Sequence, residues 1–336
     1  IPHGPIPPEH YNRNARLFTE GFDKLGYGWR PITRAQDDCR LDQGSDCIVC
    51  LGGCPRDAKQ STLITSIPAA RQLGLEIETE FEVDSLEERN GSVHVRGMQR
   101  GEQREIEAAK VVLAAGAMGN TKLLFRSPRI ARDLPALGSR FCCHPQFMTY
   151  ALFAEPVDAH KGPLQSVESH DPRLRQAGIK LENVYAPPIA TAMLIPGVRE
   201  AHQAQMRKYR YFASLEVAIC DEPAGRIRVD RKGRIRVDKP LTDADRAKLQ
   251  RGYEIVEEFL AAVDPVDVVR CRQAYGLHLM GGCPIGVDPR ASVVAPDFTV
   301  HGHPRLYAAD SSISPTAPGI NPSLSIMALS HKASQM

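Results

Sequence analysis

Apolar residues recur along this chain at two spacings, which assign most of its elements before any motif is considered. Residues 11–25 (YNRNARLFTEGFDKL) carry apolar positions at helical intervals and stop at Gly26, predicting a helix over His10–Leu25. Residues 61–73 (STLITSIPAARQL) read as a second helix, interrupted near Pro68 and ended by Gly74. A strand is expected at Leu75–Thr79. Period-two alternation around Phe81–Leu86 and Ser92–Gly97 flanks Asn90-Gly91, a dipeptide suited to a tight hairpin turn. Glu105–Ala108 leads into VVLAAGA (Val111–Ala117), an apolar strand closing on Gly116, and GNTKLLFRS then reads as a helix.

The middle of the chain is patterned less clearly. Residues 131–225 are rich in proline and loops, with strands expected at Phe147–Phe153 and Tyr211–Ile219. GRIRVD occurs twice, at 225–230 and 233–238, and its alternation predicts one hairpin with an Arg-rich solvated face. Thr242, with Asp245 three residues on, forms an approximate capping box. The helix it opens should bury Leu249, Tyr253, Val256, Phe259 and Leu260.

Charge and composition narrow the partners. Lys and Arg number 42 against 40 Asp and Glu, so no basic or acidic excess points to nucleic acid or a charged membrane surface. No apolar run approaches the roughly 20 residues that span a bilayer. The first residue is Ile1 rather than Met, so the start of the chain says nothing about targeting. Nine cysteines do not read as a disulfide framework, and a reducing compartment is the default.

Four of those cysteines, Cys39, Cys47, Cys50 and Cys54, lie close together, the last three as C-x2-C-x3-C-P. Clustered thiolates on a glycine-rich loop can hold an iron–sulfur cluster. The commoner outcome is a loop with buried thiols. Cys142, Cys143 and His144 are consecutive, and side chains that alternate along an extended chain cannot all reach one metal, so they read as a loop entering a strand. The densest chemistry lies near the C-terminus. There His278 stands before a glycine pair (HLMGGCP), RLYAAD ends at Asp310, and Asn321-Pro322 opens the apolar run SLSIMAL.

RLYAAD resembles the strand-to-acid motif of two-lobed flavoproteins, and VVLAAGA resembles the strand-to-glycine motif of the same fold. Taken in order with HLMGGCPIG, GINPSLSIMAL, GGCPRDAKQST and LGSRFCCHP, they resemble the C-terminal portion of the glucose–methanol–choline (GMC) oxidoreductases. The details are nearest, loosely, to the long-chain alcohol oxidases and cholesterol oxidases. The resemblance implies an α/β, two-lobed FAD-binding fold with an antiparallel-sheet substrate lobe and the N-terminal part of the Rossmann lobe missing. It implies an FAD-binding lobe from residues 61–130 and 286–336, a substrate lobe from 131–285, and a loop-rich connecting segment over 1–60. Position by position, His278 matches the active-site histidine, Asn321 its His-or-Asn partner, and Asp310 the acid that holds a ribityl hydroxyl. Val83 matches an adenine-side position. Ala115, Gly116, Ala309, Asn321, Pro322 and Ser323 are the further flavin-contacting positions that the resemblance implies.

The reaction implied is oxidation of a small-molecule alcohol, hydrophobic ones included, with its proton passing to His278 and a hydride to flavin N5. Electrons would go on to oxygen or to a redox partner. A neutral imidazole can accept a proton near pH 7, and an Asn can orient the substrate oxygen without titrating. A helix opening at Asn321-Pro322 would aim positive potential at an anionic reduced flavin. No G-x-G-x-x-G occurs anywhere in the chain. That turn brings a pyrophosphate onto a helix N-terminus. Its absence leads to the expectation of a truncated or split protein whose isolated chain binds FAD poorly and is inactive. The alternatives are a non-catalytic remnant or binding module, and a dehydrogenase subunit carrying an iron–sulfur cluster on the Cys39–Cys54 loop.

Overall fold

The computed structural model of the chain describes residues 1–39, 54–271 and 273–336. They form two compact units, each assembled from three separate segments of the chain.

The first unit comprises Ile1–Glu76, Gln146–Ile219 and Ala247–Tyr275. Its centre is an antiparallel six-stranded sheet in the order Asp267–Arg270, Gln146–Leu152, Phe212–Ile219, Ile179–Val184, Gln165–Ser169, Trp29–Pro31. The helix Arg13–Leu25 packs on this sheet through buried Ala15, Phe18 and Phe22 and ends at left-handed Gly26, as its sequence pattern predicts. Phe18 stacks on Phe22 with ring centroids 4.3 Å apart, and Phe259 of the helix Asp243–Val263 closes the cluster.

Four strands of this sheet, Trp29–Pro31, Gln165–Ser169, Ile179–Val184 and Asp267–Arg270, are absent from the sequence reading, and for the middle two the registers show why. Glu182 lies opposite both Glu168 and Glu216, and Arg30 lies opposite Glu168, so one row across the sheet is charged. All three glutamates are buried. Lys180 pairs with Glu168 at 2.6 Å and also with Glu182, and Arg30 pairs with Glu168 at 2.7 Å. A row of acidic residues paired largely with cations inside the fold reads, in sequence, like a solvent-exposed loop.

The second unit comprises Ile77–Pro145, Cys220–Arg246 and Gly276–Met336. Strands Phe81–Arg89, Ser92–Gln99 and Glu102–Ala108 form an antiparallel meander. Its first turn is Asn90-Gly91 with φ of +52° and +83°, the geometry the dipeptide predicts. A separate sheet pairs Thr299–Val300 with His303–Ala308 and, in parallel, His303–Ala308 with Val111–Leu113. The two GRIRVD copies form the expected hairpin, Arg226–Val229 against Ile235–Asp238. The Thr242 amide donates to Asp245 at 3.0 Å and the Asp245 amide to the Thr242 hydroxyl at 3.1 Å, so the capping box is reciprocal. Leu86, Val93, Leu113, Leu124, Leu306 and Ala308 lie in one core.

Several boundaries differ from expectation. Leu75–Thr79 is not a strand: Leu75 and Ile77 remain exposed, and no partner strand takes up their alternation. In VVLAAGA only Val111–Leu113 is extended, because the chain turns into the helix Gly116–Phe125. The compact units also divide the chain elsewhere than at 61, 131 and 286. Residues 131–145, 220–246 and 276–285 belong with the second unit: Phe141 to Gly225 and Cys142 to Met280 join the three segments, and Gly281 to Ser311 and Cys283 to Ser312 tie them to the rest.

Candidate functional site

The second unit gathers most of the residues singled out in the sequence. Its parallel strands Val111–Leu113 and His303–Ala308 run side by side, so Ala114–Gly116 and Ala309–Asp310 leave the sheet at the same end. Open parallel sheets bind ligands at the carboxyl ends of their strands. There the Asp310 carboxylate accepts hydrogen bonds from the Gly116 amide at 2.6 Å and from the Ser312 amide and hydroxyl at 2.9 and 2.6 Å. The side-chain amide of Asn120 donates to both Asp310 oxygens, at 3.1 and 3.0 Å, and to the Ser312 hydroxyl at 2.9 Å. The Asn120 oxygen accepts from the Ala115 amide at 2.9 Å. Every donor in this knot is neutral, and among the described residues no cation pairs with Asp310. Its partly exposed carboxylate sits at the N-terminal end of a ten-residue helix.

His278 is brought to the same region. In its loop the Gly281 amide donates to the Ser311 carbonyl at 3.0 Å, and that of Cys283 to the Ser312 carbonyl at 2.9 Å. The histidine loop and the turn after Asp310 are therefore directly hydrogen-bonded. The glycine pair is a steric requirement. A Cβ on Gly281 would lie 2.1 Å from the Arg140 carbonyl, and one on Gly282 would lie 2.2 Å from the Thr121 hydroxyl, both at positive φ.

His278 Nδ1 lies 3.0 Å from His144 Nδ1, with the rings edge to face at a centroid distance of 5.2 Å. His144 is buried, and its Nε2 accepts the Gly319 amide at 3.0 Å, two residues before Asn321. Thus one imidazole ties the 278 loop to the 319–321 loop. Asn321 itself is exposed, buried Pro322 stands at the N-cap, and the helix Ser323–Ala333 follows; the hydroxyl of Ser330 donates to the Ala309 carbonyl.

His144 is itself held in a left-handed backbone conformation, φ +48°, rare for a residue with a side chain. Buried Asp221 secures it, accepting the His144 amide at 2.9 Å and the Cys143 amide at 3.2 Å. Lys239, 3.1 Å from Asp221, supplies the countercharge. Burial, followed by the negative charge of Asp221, pushes the thiols of Cys142 up to about 12 and Cys143 up to about 11. Both belong to the loop that enters the strand at Gln146.

Asn120 and Asp221 escaped the sequence reading, and His144 entered it only as part of a loop before a strand. Asn120 left a signal, being a polar residue four positions after Gly116 inside an apolar helical run. His144 left only its place in CCHP.

The remaining predicted positions fall on other elements. Val83, on the first meander strand, is half-buried against the unit's core. Cys39 and Cys54, in the first unit, line a cavity of about 430 Å³ with Arg34, Gln36, Gln60 and Tyr185. Cys47 and Cys50 lie outside the described residues, and among the described residues no group of three or more His, Cys, Asp or Glu could hold a metal ion. No helix among them is long and apolar enough to cross a membrane.

Two family models, both described as GMC oxidoreductase, match the chain: the N-terminal model over residues 6–146 and the C-terminal model over 221–330. The first match corrects the expectation that only the family's C-terminal portion is represented, although the G-x-G-x-x-G pattern does not occur in the sequence. An uncharacterized GMC-type oxidoreductase of Mycobacterium tuberculosis is 28% identical over 351 residues, covering 97% of this chain and 54% of that protein. A long-chain-alcohol oxidase of Arabidopsis thaliana is 24% identical over 376 residues, covering 95% of this chain and 49% of that one. The chain thus spans about half the length of these relatives. The crystal structure of pyridoxine 4-oxidase from Mesorbium loti superposes with a TM-score of 0.72 at 18% identity, covering 100% of this chain and 71% of that one. That likeness concerns the fold.

Proposed function

The chain belongs to the GMC oxidoreductase family, and from that premise we propose that it carries the flavin-anchoring and substrate-handling residues of an FAD-dependent alcohol oxidation. The observation that supports this most is the direct hydrogen bonding of the His278 loop to the turn that follows Asp310. It puts a candidate cofactor anchor and a candidate substrate group on one rigid piece of backbone.

The donor set fits the cofactor. Asp310 is a carboxylate held by neutral donors at a helix N-terminus, and its uncompensated charge favours a further donor such as a ribityl hydroxyl on Oδ2, where only the Gly116 amide and the Asn120 side chain, shared with Oδ1, are bound. Ala115, Gly116 and Ala309 present backbone there without bulky side chains, and Pro322 and Ser323 open the helix that borders it. Val83 is assigned to the adenine side by the family resemblance alone. FAD, when bound, supplies the hydride acceptor. His278 and Asn321 hold the alcohol oxygen and manage its proton, His278 through a ring nitrogen and Asn321 as a fixed hydrogen-bonding amide. The first unit's antiparallel sheet is read as the substrate lobe. A hydrophobic alcohol is the favoured substrate class, by analogy with the long-chain-alcohol oxidase relative. Electrons leave to oxygen or to a redox partner.

The test is anaerobic mixing of the FAD-loaded protein with primary alcohols of increasing chain length, following the flavin absorbance. Bleaching by alcohols is the expected result; a flavin that no alcohol reduces would sink the reading. In the same assay His278→Ala should slow reduction by about 100- to 10,000-fold, the range for losing a group that handles a proton, while the flavin stays bound. Near-normal reduction in that variant would move the role to another residue.

A further inference from the structure

We propose that His144 is a positioning residue that sets the tautomer of His278, so that the resting pair presents an N–H, rather than a lone pair, at His278 Nε2. The consequence for substrate rests on the alcohol-oxidation reading; the tautomer itself does not.

The argument is a count of hydrogens. The Gly319 amide points at His144 Nε2 over 3.0 Å, and a backbone N–H can only donate. His144 Nε2 must therefore be a bare acceptor, and neutral His144 carries its hydrogen on Nδ1. That nitrogen faces His278 Nδ1 at 3.0 Å, where one hydrogen lies between two ring nitrogens. It belongs to His144, so His278 Nδ1 accepts and the hydrogen of neutral His278 sits on Nε2. The opposite arrangement would leave both nitrogens of His144 bare, an imidazolate. A doubly protonated His278 is also disfavoured, because two N–H groups would then meet head-on across 3.0 Å.

The surroundings keep this arrangement in place. His144 is buried, its amide is bonded to Asp221, and the backbone bridge between Cys142 and Met280 fixes the spacing of the two loops. A ring flip of His144 would break both bonds at once.

The resting pair thus grips an alcohol oxygen by donation from His278 Nε2. This qualifies the expectation that His278 is simply a base. To accept the hydroxyl proton at Nε2, His278 must first give its Nε2 hydrogen to water and take the His144 hydrogen onto Nδ1, while His144 gains a hydrogen from water on Nε2 and releases the Gly319 amide. Both rings stay neutral in that exchange. Proton uptake is thereby coupled to the loop that carries Asn321.

Nitrogen-15 NMR of the full chain, labelled at histidine, reads the tautomer directly, with the His278 ring assigned by its loss in His278→Gln. The account predicts a protonated Nε2 and bare Nδ1 in the wild type. In His144→Asp the carboxylate can only accept, and Asp tolerates a left-handed backbone. The His278 resonances should therefore exchange their ranges, with the hydrogen now on Nδ1. A wild-type His278 with its hydrogen on Nδ1 would overturn the proposal, as would an unchanged spectrum in a folded His144→Asp. If the variant does not fold, the wild-type spectrum alone decides. Flavin reduction by alcohol is scored separately. A predicted tautomer without turnover counts against the reaction, and turnover with the other tautomer counts against His144.

Discussion

Two aspartates in the second unit show how differently one fold can treat the same charge. Asp221 is fully buried, accepts two backbone amides and is paired with Lys239 at 3.1 Å. Asp310 is partly exposed, is held by a larger set of donors, and has no cation beside it among the described residues. The first arrangement neutralises the charge and leaves nothing over, as suits a strut that holds the 142–144 strap. The second fixes the carboxylate in space while leaving its charge uncompensated, as suits a group meant for a ligand. Pairing, rather than burial or hydrogen-bond count alone, separates the structural acid from the candidate functional one.

The largest effect that would break this comparison is on stability. Asp221→Ala leaves the half-buried Lys239 without its nearest acid and two amides unsatisfied. Thermal or urea unfolding should show a loss of about 3–5 kcal/mol, the usual result of halving a buried pair. A loss under about 1 kcal/mol, in the range of exposed pairs, would mean that Asp221 is not a strut.

A third acid, Glu216 in the first unit, sharpens the contrast. It is buried in the charged row of the sheet and accepts the Tyr275 hydroxyl, while Lys180 bonds to its neighbours Glu168 and Glu182. Burial pushes its carboxyl up to about 7, a shift only partly offset by the Tyr275 hydrogen bond and the charge of Lys180. The folded chain therefore keeps this proton across a range in which the unfolded chain has released it. Its stabilising contribution is complete below the ordinary glutamate value of 4.5, falls as pH rises from there to about 7, and is flat above. Stability measured against pH should lose at most about 1.4 kcal/mol per pH unit in that window on this group's account, and Glu216→Gln should abolish that component. An unaltered profile in the variant would place the titration elsewhere.

The contrast also explains what could be read from sequence. Asp310 and Gly116 were legible because each closes a short apolar strand, and a strand-to-acid or strand-to-glycine pattern is a local signal. The Asn90-Gly91 hairpin and the Thr242–Asp245 box were legible for the same reason. The His144 junction was not, because its partners His278 and Gly319 lie 134 and 175 residues away in sequence. Its own segment, Cys-Cys-His-Pro, carries no periodicity. The strands Gln165–Ser169 and Ile179–Val184 were lost to the same kind of non-local pairing, since their buried glutamates and Lys180 make sense only beside one another. The exposed Leu75–Thr79 run shows the converse, an apolar alternation that no neighbour completes.

The central claim is that Asp310 anchors the flavin, and an equilibrium titration of FAD into the apo-protein, followed by quenching of flavin fluorescence, tests it most directly. The loss of a charge-assisted hydrogen bond, about 1.5–3 kcal/mol, corresponds to a weakening of roughly 10- to 150-fold in Asp310→Ala, with the circular dichroism spectrum retained. Equal FAD affinity in the wild type and a folded Asp310→Ala would contradict the account.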